Sequence, residues 1–499
     1  MSRGEGDMYY HMFIAQQISN SGYLSQVDIY PIMHIWLSIL HTFFPDYIML
    51  TLVLSIVFFI LYILSLYILG KTILGTKNGG IFVSIFGLPL IFSYSYYAYY
   101  PFLFAMFIFP LILYAYQKIT FYPGQKSRFY ICLIFLSLFI VFCHPMVSVF
   151  LIIIFSIFTF FELFKKWTTR QQSNIEAANI VIIVSLSLML WWLQFRNLLN
   201  SIEMMVSAFL GQGTYTSIFE SQVNTVMTSN VSIWLVIDRF VKFYGSIGIY
   251  FSISLFFLFY MIYQYIQNKK IYEIDFIYSS QFCVAVCVGI ALMTGYFVIA
   301  EPIRAAMYGL VFTTILCGLF VYRERQLGGL IVLITVIITI VCMLTIMTLY
   351  SSPWIGQTSS ALTYGDKNGI DWILEYQNAK IPLVKEERTN DKYAEYYFET
   401  TGANSSQYLI QYSLIIPSHF GYTTNRTIGD SFAYLPDNEV YMFTTEMMRL
   451  TPNAASVDRR SLVKSFTDTD FIRLKNDPTV NLIYLSNKFE VWNIAIPQS

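Results

Sequence analysis

The sequence predicts a mainly α protein: a polytopic helical membrane bundle of about ten spans with a small external α/β domain at its C-terminus. Three observations predict it. Hydrophobic residues make up 56% of the chain and charged residues 12%, roughly half the charge of a soluble domain. The apolar residues gather into segments near the length of about 20 residues that a spanning helix needs. Composition then shifts sharply after Tyr350, where a polar tail of about 150 residues begins. The net charge is zero, which argues against a nucleic-acid partner. All six cysteines lie in apolar segments, so no disulfide framework is expected.

Residues 1–45 read as a first external loop with two amphipathic helices lying at the membrane surface. Asp7 and His11 are four apart, so they share a face of the first helix, and Phe13, Ile14 and Ile18 give it an apolar side. Asn20-Ser21-Gly22 ends it. Asp28 and Tyr30 follow, and Pro31 suits the first turn of a second helix that carries His34, Trp36, Leu37, Leu40 and Phe44. Pro45 closes it.

Residues 46–350 read as the transmembrane domain, with candidate spans at 46–69, 79–95, 101–117, 129–143, 145–164, 177–195, 244–266, 276–299, 303–322 and 327–350. The 129–143 segment is short, as a tilted or partly re-entrant helix would be. In the loop at 196–243, Gly211-Gln212-Gly213-Thr214-Tyr215 reads as a turn and Ile233-Trp234-Leu235-Val236 as an interfacial helix. Residues 351–499 read as an external soluble α/β domain. Within it, Asp366 to Leu374 is a turn and a short helix, and Val480 to Ile494 a hairpin turning at Ser486-Asn487-Lys488.

The connections set the orientation. Lys71 and Lys77, then Lys118, Lys126 and Arg128, then Lys165, Lys166 and Arg170, then Lys269 and Lys270, then Arg323 and Arg325 occupy every second loop. The loops at 95–100, 143–145 and 300–302 hold no Lys or Arg. Positive residues stay on the cytoplasmic side, so the pattern predicts a multi-pass cell-membrane protein with both termini outside. The sequons at Asn230, Asn404 and Asn425 all fall outside. An external N-terminus with no signal peptide or helix before it leads us to expect an upstream helix in the parent protein. Nearly every acid and histidine that interrupts or flanks the spans falls on the outer side, including His11, His34, His41, His144 and His419. Such clustering suits an enzyme working at the membrane surface and is more than an anchor needs.

The stretch Glu5-Gly6-Asp7-Met8-Tyr9-Tyr10-His11, the glycine at Gly22 and Tyr30-Pro31-Ile32-Met33-His34 before a long helix resemble the first external loop of GT-C type integral-membrane glycosyltransferases. Tyr100-Pro101-Phe102-Leu103-Phe104-Ala105, Cys143-His144-Pro145, Glu301-Pro302-Ile303-Arg304 and His419-Phe420-Gly421-Tyr422 resemble motifs of archaeal members. The resemblance covers most of the chain in layout. It implies a GT-C-like fold whose first helix is lacking here and an essential acid in the first loop. It also implies transfer of a sugar from a polyprenyl-phosphate-linked donor to a glycan, lipid or protein acceptor on the outer face.

Under that resemblance Asp7 is the expected base, because a carboxylate beside lipid and aromatic rings gains basicity. Glu5 assists it or shares a magnesium or manganese ion, which hard oxygen ligands suit. His11 orients Asp7 or touches the carrier phosphate. Arg304 offers fixed donors to the phosphate, with Glu301 one turn before it, and Arg196, beyond Trp191-Trp192, is a second candidate. Tyr30, His34 and His144 are the other expected substrate contacts. No H-x-x-x-H spacing supports zinc. The rivals are a polytopic transporter, a polymerase or ligase of lipid-linked sugars, and a non-catalytic assembly protein. Against the transporter, the spans carry almost no charge at mid-depth and show no internal repeat.

Overall fold

The structure is a computed structural model that describes residues 6–24, 28–89, 100–122, 124, 126–169, 176–195, 232–267, 272–294, 302–324, 328–348, 363–376, 378, 380–384, 397, 400–401, 416–446, 448–450 and 466–497. Helices α1 (Gly6–Ser21) and α2 (Pro31–His41) form the first stretch. Gly22, in the left-handed region at φ 73°, donates its N–H to the Ile18 carbonyl at 2.9 Å and stops α1. Pro31 opens α2. Both helices are amphipathic and bury one face in the protein. The residues that α1 buries are Met8, Tyr9, His11, Met12, Ile14 and Ala15, and α2 buries Met33, His34 and Leu37. Most of these join the contiguous core of the bundle. These faces meet each other and the next helix, and Phe13 and Ile18 stay only half-buried.

Among the described residues ten helices follow, one in each expected window: α3 (Tyr47–Leu74), α4 (Lys77–Gly87), α5 (Pro101–Phe121), α6 (Lys126–Cys143), α7 (Pro145–Thr169), α8 (Glu176–Trp192), α9 (Ile233–Ile266), α10 (Glu273–Thr294), α11 (Pro302–Glu324) and α12 (Gly328–Thr348). Among the described residues, six helical stretches are long and apolar enough to cross a membrane: Tyr47–Leu74, Pro101–Phe121, Lys126–Cys143, Pro145–Thr168, Tyr244–Ile266 and Glu273–Ile290. Asp46 starts α3 by accepting the N–H groups of Ile48 and Met49 at 2.9 and 3.1 Å. The expected interfacial helix at 233 is the beginning of the 34-residue α9. No proline separates it from the span, and the Asp238–Lys242 pair one turn apart bridges the junction at 2.7 Å.

Helix α5 is central and buried on most of its surface. Helix α4 is wedged between α3 and α11 at backbone distance. A Cβ at Gly80 would stand 2.6 Å from the Tyr67 carbonyl oxygen, and one at Gly318 would stand 2.6 Å from the Val83 Cα. Small residues permit such approach between membrane helices. The 129–143 segment is one unbroken helix and makes a hairpin with α7. Lys126, at the start of α6, pairs with Glu176, while Glu162, late in α7, accepts the Ala177 N–H at 3.2 Å. Both ends therefore meet the start of α8, and His144 is the apex between them.

That shared end corrects the expected one-sided distribution of acids. At the lysine and arginine end, Lys165 meets Glu273 at 3.0 Å and Arg323 meets Asp275 at 3.2 Å. Tyr116 donates to Glu162 at 2.8 Å and Tyr260 to Glu324 at 3.0 Å. Acids in low-dielectric surroundings need partners, and the basic loop residues supply them there.

After the bundle comes α13 (Tyr364–Tyr376) and a four-stranded sheet in the order β1 (Leu383–Val384), β2 (Glu439–Thr444), β4 (Phe489–Ala495), β3 (Val480–Ser486). Among the described strands, β1 pairs with β2 in parallel and the other two pairings are antiparallel. The expected hairpin is present and turns on two residues, Asn487 and Lys488, at φ 46° and 72°, as a tight hairpin requires. The expected turn at Asp366 is instead helix. Thr363 and Asp366 bond reciprocally, with the Thr363 N–H on Asp366 Oδ2 at 2.9 Å and the Asp366 N–H on Thr363 Oγ1 at 3.1 Å, a capping box that starts α13 early. Alternation along the strands gives the sheet two apolar faces. Phe443, Phe489 and Val491 fall in the core cluster that also holds Ile370, Ile373 and Leu374 of α13. Val440, Met442, Trp492 and Ile494 fall in a second cluster with Phe420, Phe471 and Leu474, the last two on α15 (Asp468–Lys475), which follows the short α14 (Ile428–Ser431).

Gly369 sets the closeness of α13 to the sheet, since a Cβ there would lie 2.0 Å from the Phe489 ring. Phe489 is fully buried and stacked on Phe443 at 5.2 Å, so it cannot yield. Gly369→Ala gains helix propensity of about 1 kcal/mol but overpacks at a cost of about 1–3 kcal/mol. The expected result is net destabilisation, read as a lowered unfolding midpoint. A raised midpoint would show that the sheet can move away from α13.

Candidate functional site

The end of the bundle opposite the lysines and arginines gathers side chains from five places in the chain. Asp28 begins the arrangement. Its Oδ1 accepts the Tyr30 N–H at 2.9 Å, a turn held by the aspartate's own side chain. Pro31 then starts α2, and one turn in, His34 donates from Nδ1 to Asp28 Oδ2 at 2.8 Å. The other nitrogen of His34, Nε2, lies 2.8 Å from Nδ1 of His11 on α1. All three groups are buried, with Asp28 4%, His34 1% and His11 5% exposed. Buried polar groups hold their place only when bonded, and this chain of two imidazoles and a carboxylate bonds within itself.

Aromatic rings connect the chain to the bundle. Tyr30 lies edge-on to His11 at 6.1 Å and stacks on His144 at 5.3 Å and 12°. His144 meets Phe102 of α5 edge-on at 5.3 Å, and Phe102 meets Tyr308 of α11 at 5.6 Å. The motifs Tyr30-Pro31-Ile32-Met33-His34, Tyr100-Pro101-Phe102-Leu103 and Cys143-His144-Pro145 therefore converge. Each puts a proline directly beside the functional ring, and the proline starts the helix that fixes the ring's position.

Of the expected site residues, His11, Tyr30, His34 and His144 come together. His34 is almost wholly buried with both ring nitrogens engaged, so it sits behind His11 and is not open to a substrate. His11 has His34 as its observed partner. Asp7 lies one turn before His11 on α1, and Arg304 lies in the first turn of α11, four positions before Tyr308; their side chains are outside what the structure describes. Glu5, Arg196 and Glu301 lie outside the described residues, as does the turn at 211–215. His41 is elsewhere, stacked on Tyr47 at 3.7 Å. Among the described residues no group of three His, Cys, Asp or Glu is arranged to hold a metal ion. Asp28 is the residue the sequence does not single out. Its signal is indirect: His34 falls on the buried face of α2 with Met33 and Leu37, where an imidazole needs a bonded partner.

The motif at His419 serves the C-terminal domain. His419, Phe420 and Gly421 all take left-handed φ values, 53°, 52° and 77°. Phe420 is buried against Phe466 and Phe471 at 4.8 and 5.2 Å. His419 Nδ1 donates to Asp470 at 2.8 Å. Burial pushes the Asp470 carboxyl up, but hydrogen bonds from Thr467 and His419 outweigh it and hold the group below its ordinary value. Arg473 ties the segment by donating to the carbonyls of Tyr422, Asn425 and Arg426. A cavity of about 920 Å³ lies between α7 and α10, lined by Ile152, Phe160, Phe164 and Ile277 with Lys165 and Glu273. It belongs to the lysine end, away from the histidines.

No family model matches the sequence, and no curated protein matches it. Among solved structures, the chain is similar to the oligosaccharyltransferase of Archaeoglobus fulgidus, crystallised tethered by a disulfide bond to an acceptor peptide containing the NVT sequon. The identity is 11%, the match covers 91% of this chain and the TM-score is 0.48. The chain spans 66% of the length of that enzyme. By its own elements it is a multi-pass membrane protein with a mainly α layout, a helical bundle followed by a small mixed α/β unit.

Proposed function

We propose that the chain is a membrane glycosyltransferase that moves a sugar from a polyprenyl-phosphate carrier to an acceptor at the membrane face where the histidines gather, the outer face by the loop charges. The observation that supports this reading is the convergence of His11, Tyr30, Phe102, His144 and Tyr308 at one end of the bundle. An anchor or assembly protein has no need to bring these separate motifs together.

Glycosyl transfer needs a base, a holder for the departing phosphate and alignment of the reacting carbon. In this proposal the acceptor oxygen or nitrogen bonds to the anomeric carbon as the bond from that carbon to the phosphate oxygen breaks, and the electron pair leaves on the phosphate. Asp7 takes the acceptor's proton. Arg304, with Glu301 beside it and Arg196 as a further donor, neutralises the polyprenyl phosphate. Tyr30 and His144 form a wall against which the sugar is positioned. If a magnesium or manganese ion takes part, Glu5 and Asp7 are the proposed ligands, and it supplies further neutralisation of the phosphate.

The test uses the full-length protein in nanodiscs with a radiolabelled polyprenyl-phosphate sugar and mixed glycan, lipid and peptide acceptors. Transfer of label to an acceptor is the expected result. Sugar flux across liposomes without any transfer would overturn the reading in favour of a transporter. Growth of the lipid-linked donor itself would identify a polymerase.

A further inference from the structure

We propose that the groove between α7 and α10 is a binding site for one membrane phospholipid with an amine-bearing, zwitterionic head, drawn from the leaflet on the lysine and arginine side. The histidine end and the sugar chemistry play no part in it.

The groove has the length of one leaflet. Helix α7 borders it from Ile152 to Thr168, with Lys165 near its end, and α10 runs back along it from Glu273 to Val284. At 1.5 Å per residue, the stretches Ile153 to Lys165 and Glu273 to Val284 are each about 17 Å long. Half of a hydrocarbon core of roughly 30 Å is about 15 Å. The groove thus reaches from one membrane surface to the midplane and stops, as a lipid of a single leaflet does. Its volume of about 920 Å³ falls at the upper end of ordinary ligand pockets, about 300–1,000 Å³.

Its walls suit alkyl chains. Ile153, Ile157, Phe160, Phe164, Ile277 and Val284 line it, and Phe161 joins the two helices by meeting Phe276 edge-on at 5.6 Å. The hydroxyls in the walls are spent on their own helices. Ser156 donates to the Ile152 carbonyl at 2.8 Å, Ser280 to Phe276 at 2.9 Å and Thr168 to Phe164 at 3.0 Å. Charge enters only at the surface end, where Lys165 Nζ donates to both Glu273 oxygens at 3.0 and 3.1 Å. An occupant that matches apolar walls and one charged mouth is an amphiphile.

The mouth also selects the head. It holds one positive and one negative group side by side, their side chains 55% and 65% exposed. A phosphate beside an ammonium is the electrical complement of that pair. The ammonium lies against Glu273, whose carboxylate has about four acceptor sites and gives two of its bonds to Lys165. The phosphate sits in the field of Lys165 and needs no hydrogen from it, so the ion pair stays in place. A head with a net negative charge, such as phosphoglycerol, meets Glu273 with nothing to offset the repulsion. One such surface charge contact corresponds to about a fivefold change in binding.

The full-length protein in nanodiscs of equal parts phosphatidylethanolamine and phosphatidylglycerol provides the test. The lipid that stays bound on transfer to detergent is identified by native mass spectrometry. One phosphatidylethanolamine per chain is expected, favoured about fivefold over phosphatidylglycerol. Glu273→Gln should bring that preference within about twofold while lipid is still retained, since an exposed pair contributes little to the fold. Ser156→Trp fills the groove without touching the charges and should abolish retention. Equal retention of the two lipids by the wild-type protein overturns the proposal. So does phosphatidylethanolamine retention unchanged in Ser156→Trp, which would place the lipid elsewhere. Displacement of the bound lipid by added polyprenyl phosphate would give the groove to the carrier chain, and a doubled protein mass that disappears in Ser156→Trp would give it to a second copy. Either result overturns the proposal. The wild-type and Ser156→Trp measurements decide the question even if Glu273→Gln fails to fold.

Discussion

Asp7→Asn is expected to lower sugar transfer at least about a hundredfold, the low end for loss of a positioned general base. The substitution keeps size and shape and removes only the capacity to take a proton. Position 7 lies in the first turn of α1, so the helix itself should persist. Carrier binding should be spared, because the phosphate is assigned to Arg304. Arg304→Ala separates the two roles: it should weaken carrier binding or leaving-group stabilisation. Single-turnover transfer and equilibrium binding of a labelled polyprenyl phosphate distinguish them. Unimpaired turnover by Asp7→Asn would remove Asp7 from the mechanism.

The second large effect concerns stability and lies at the other end of the molecule. Arg323 donates from Nε and Nη2 to both oxygens of Asp275, each at 3.2 Å, and its guanidinium lies 3.5 Å over the Tyr272 ring. Asp275 is 5% exposed. Arg323→Ala leaves that carboxylate buried without its counter-charge, which costs about 3–5 kcal/mol. The double variant Asp275→Leu with Arg323→Met removes both charges and should recover most of the loss. Unfolding midpoints in one detergent compare the three proteins. A loss below about 1 kcal/mol in Arg323→Ala would mean that water reaches Asp275 once the arginine is gone, leaving only a solvated pair's worth.

The bundle was legible because the length of an apolar run is a property of consecutive residues. Each window held its helix, and Pro31, Gly22 and the Asn487-Lys488 turn acted through their own backbone preferences. The continuity of α9 was less legible: an aromatic run with charges reads as interfacial until its neighbour is known to continue the same helix. The packing partners of α1 and α2 were not legible, because an amphipathic face does not say which surface covers it. At the site, His11, Tyr30, His34 and His144 stood out singly, while their pairing did not. Asp7 and Asp28 were both acids within reach of a histidine, and only packing decides that His34 lies between Asp28 and His11. The stack of Tyr30 on His144 joins residues more than a hundred positions apart, which no local pattern encodes.

That stack, with the contacts from Phe102 to Tyr308, has a consequence for how the protein is made. The first helices leave the ribosome long before the rings they rest on. About 280 residues separate Tyr30 from Tyr308, and at roughly 5–20 residues per second their synthesis takes on the order of 15–55 s. In that interval α1 and α2 can pack on each other and on α3, while the row of rings that runs from Tyr30 through His144 and Phe102 still lacks Tyr308. The candidate site is complete only once α11 has been made.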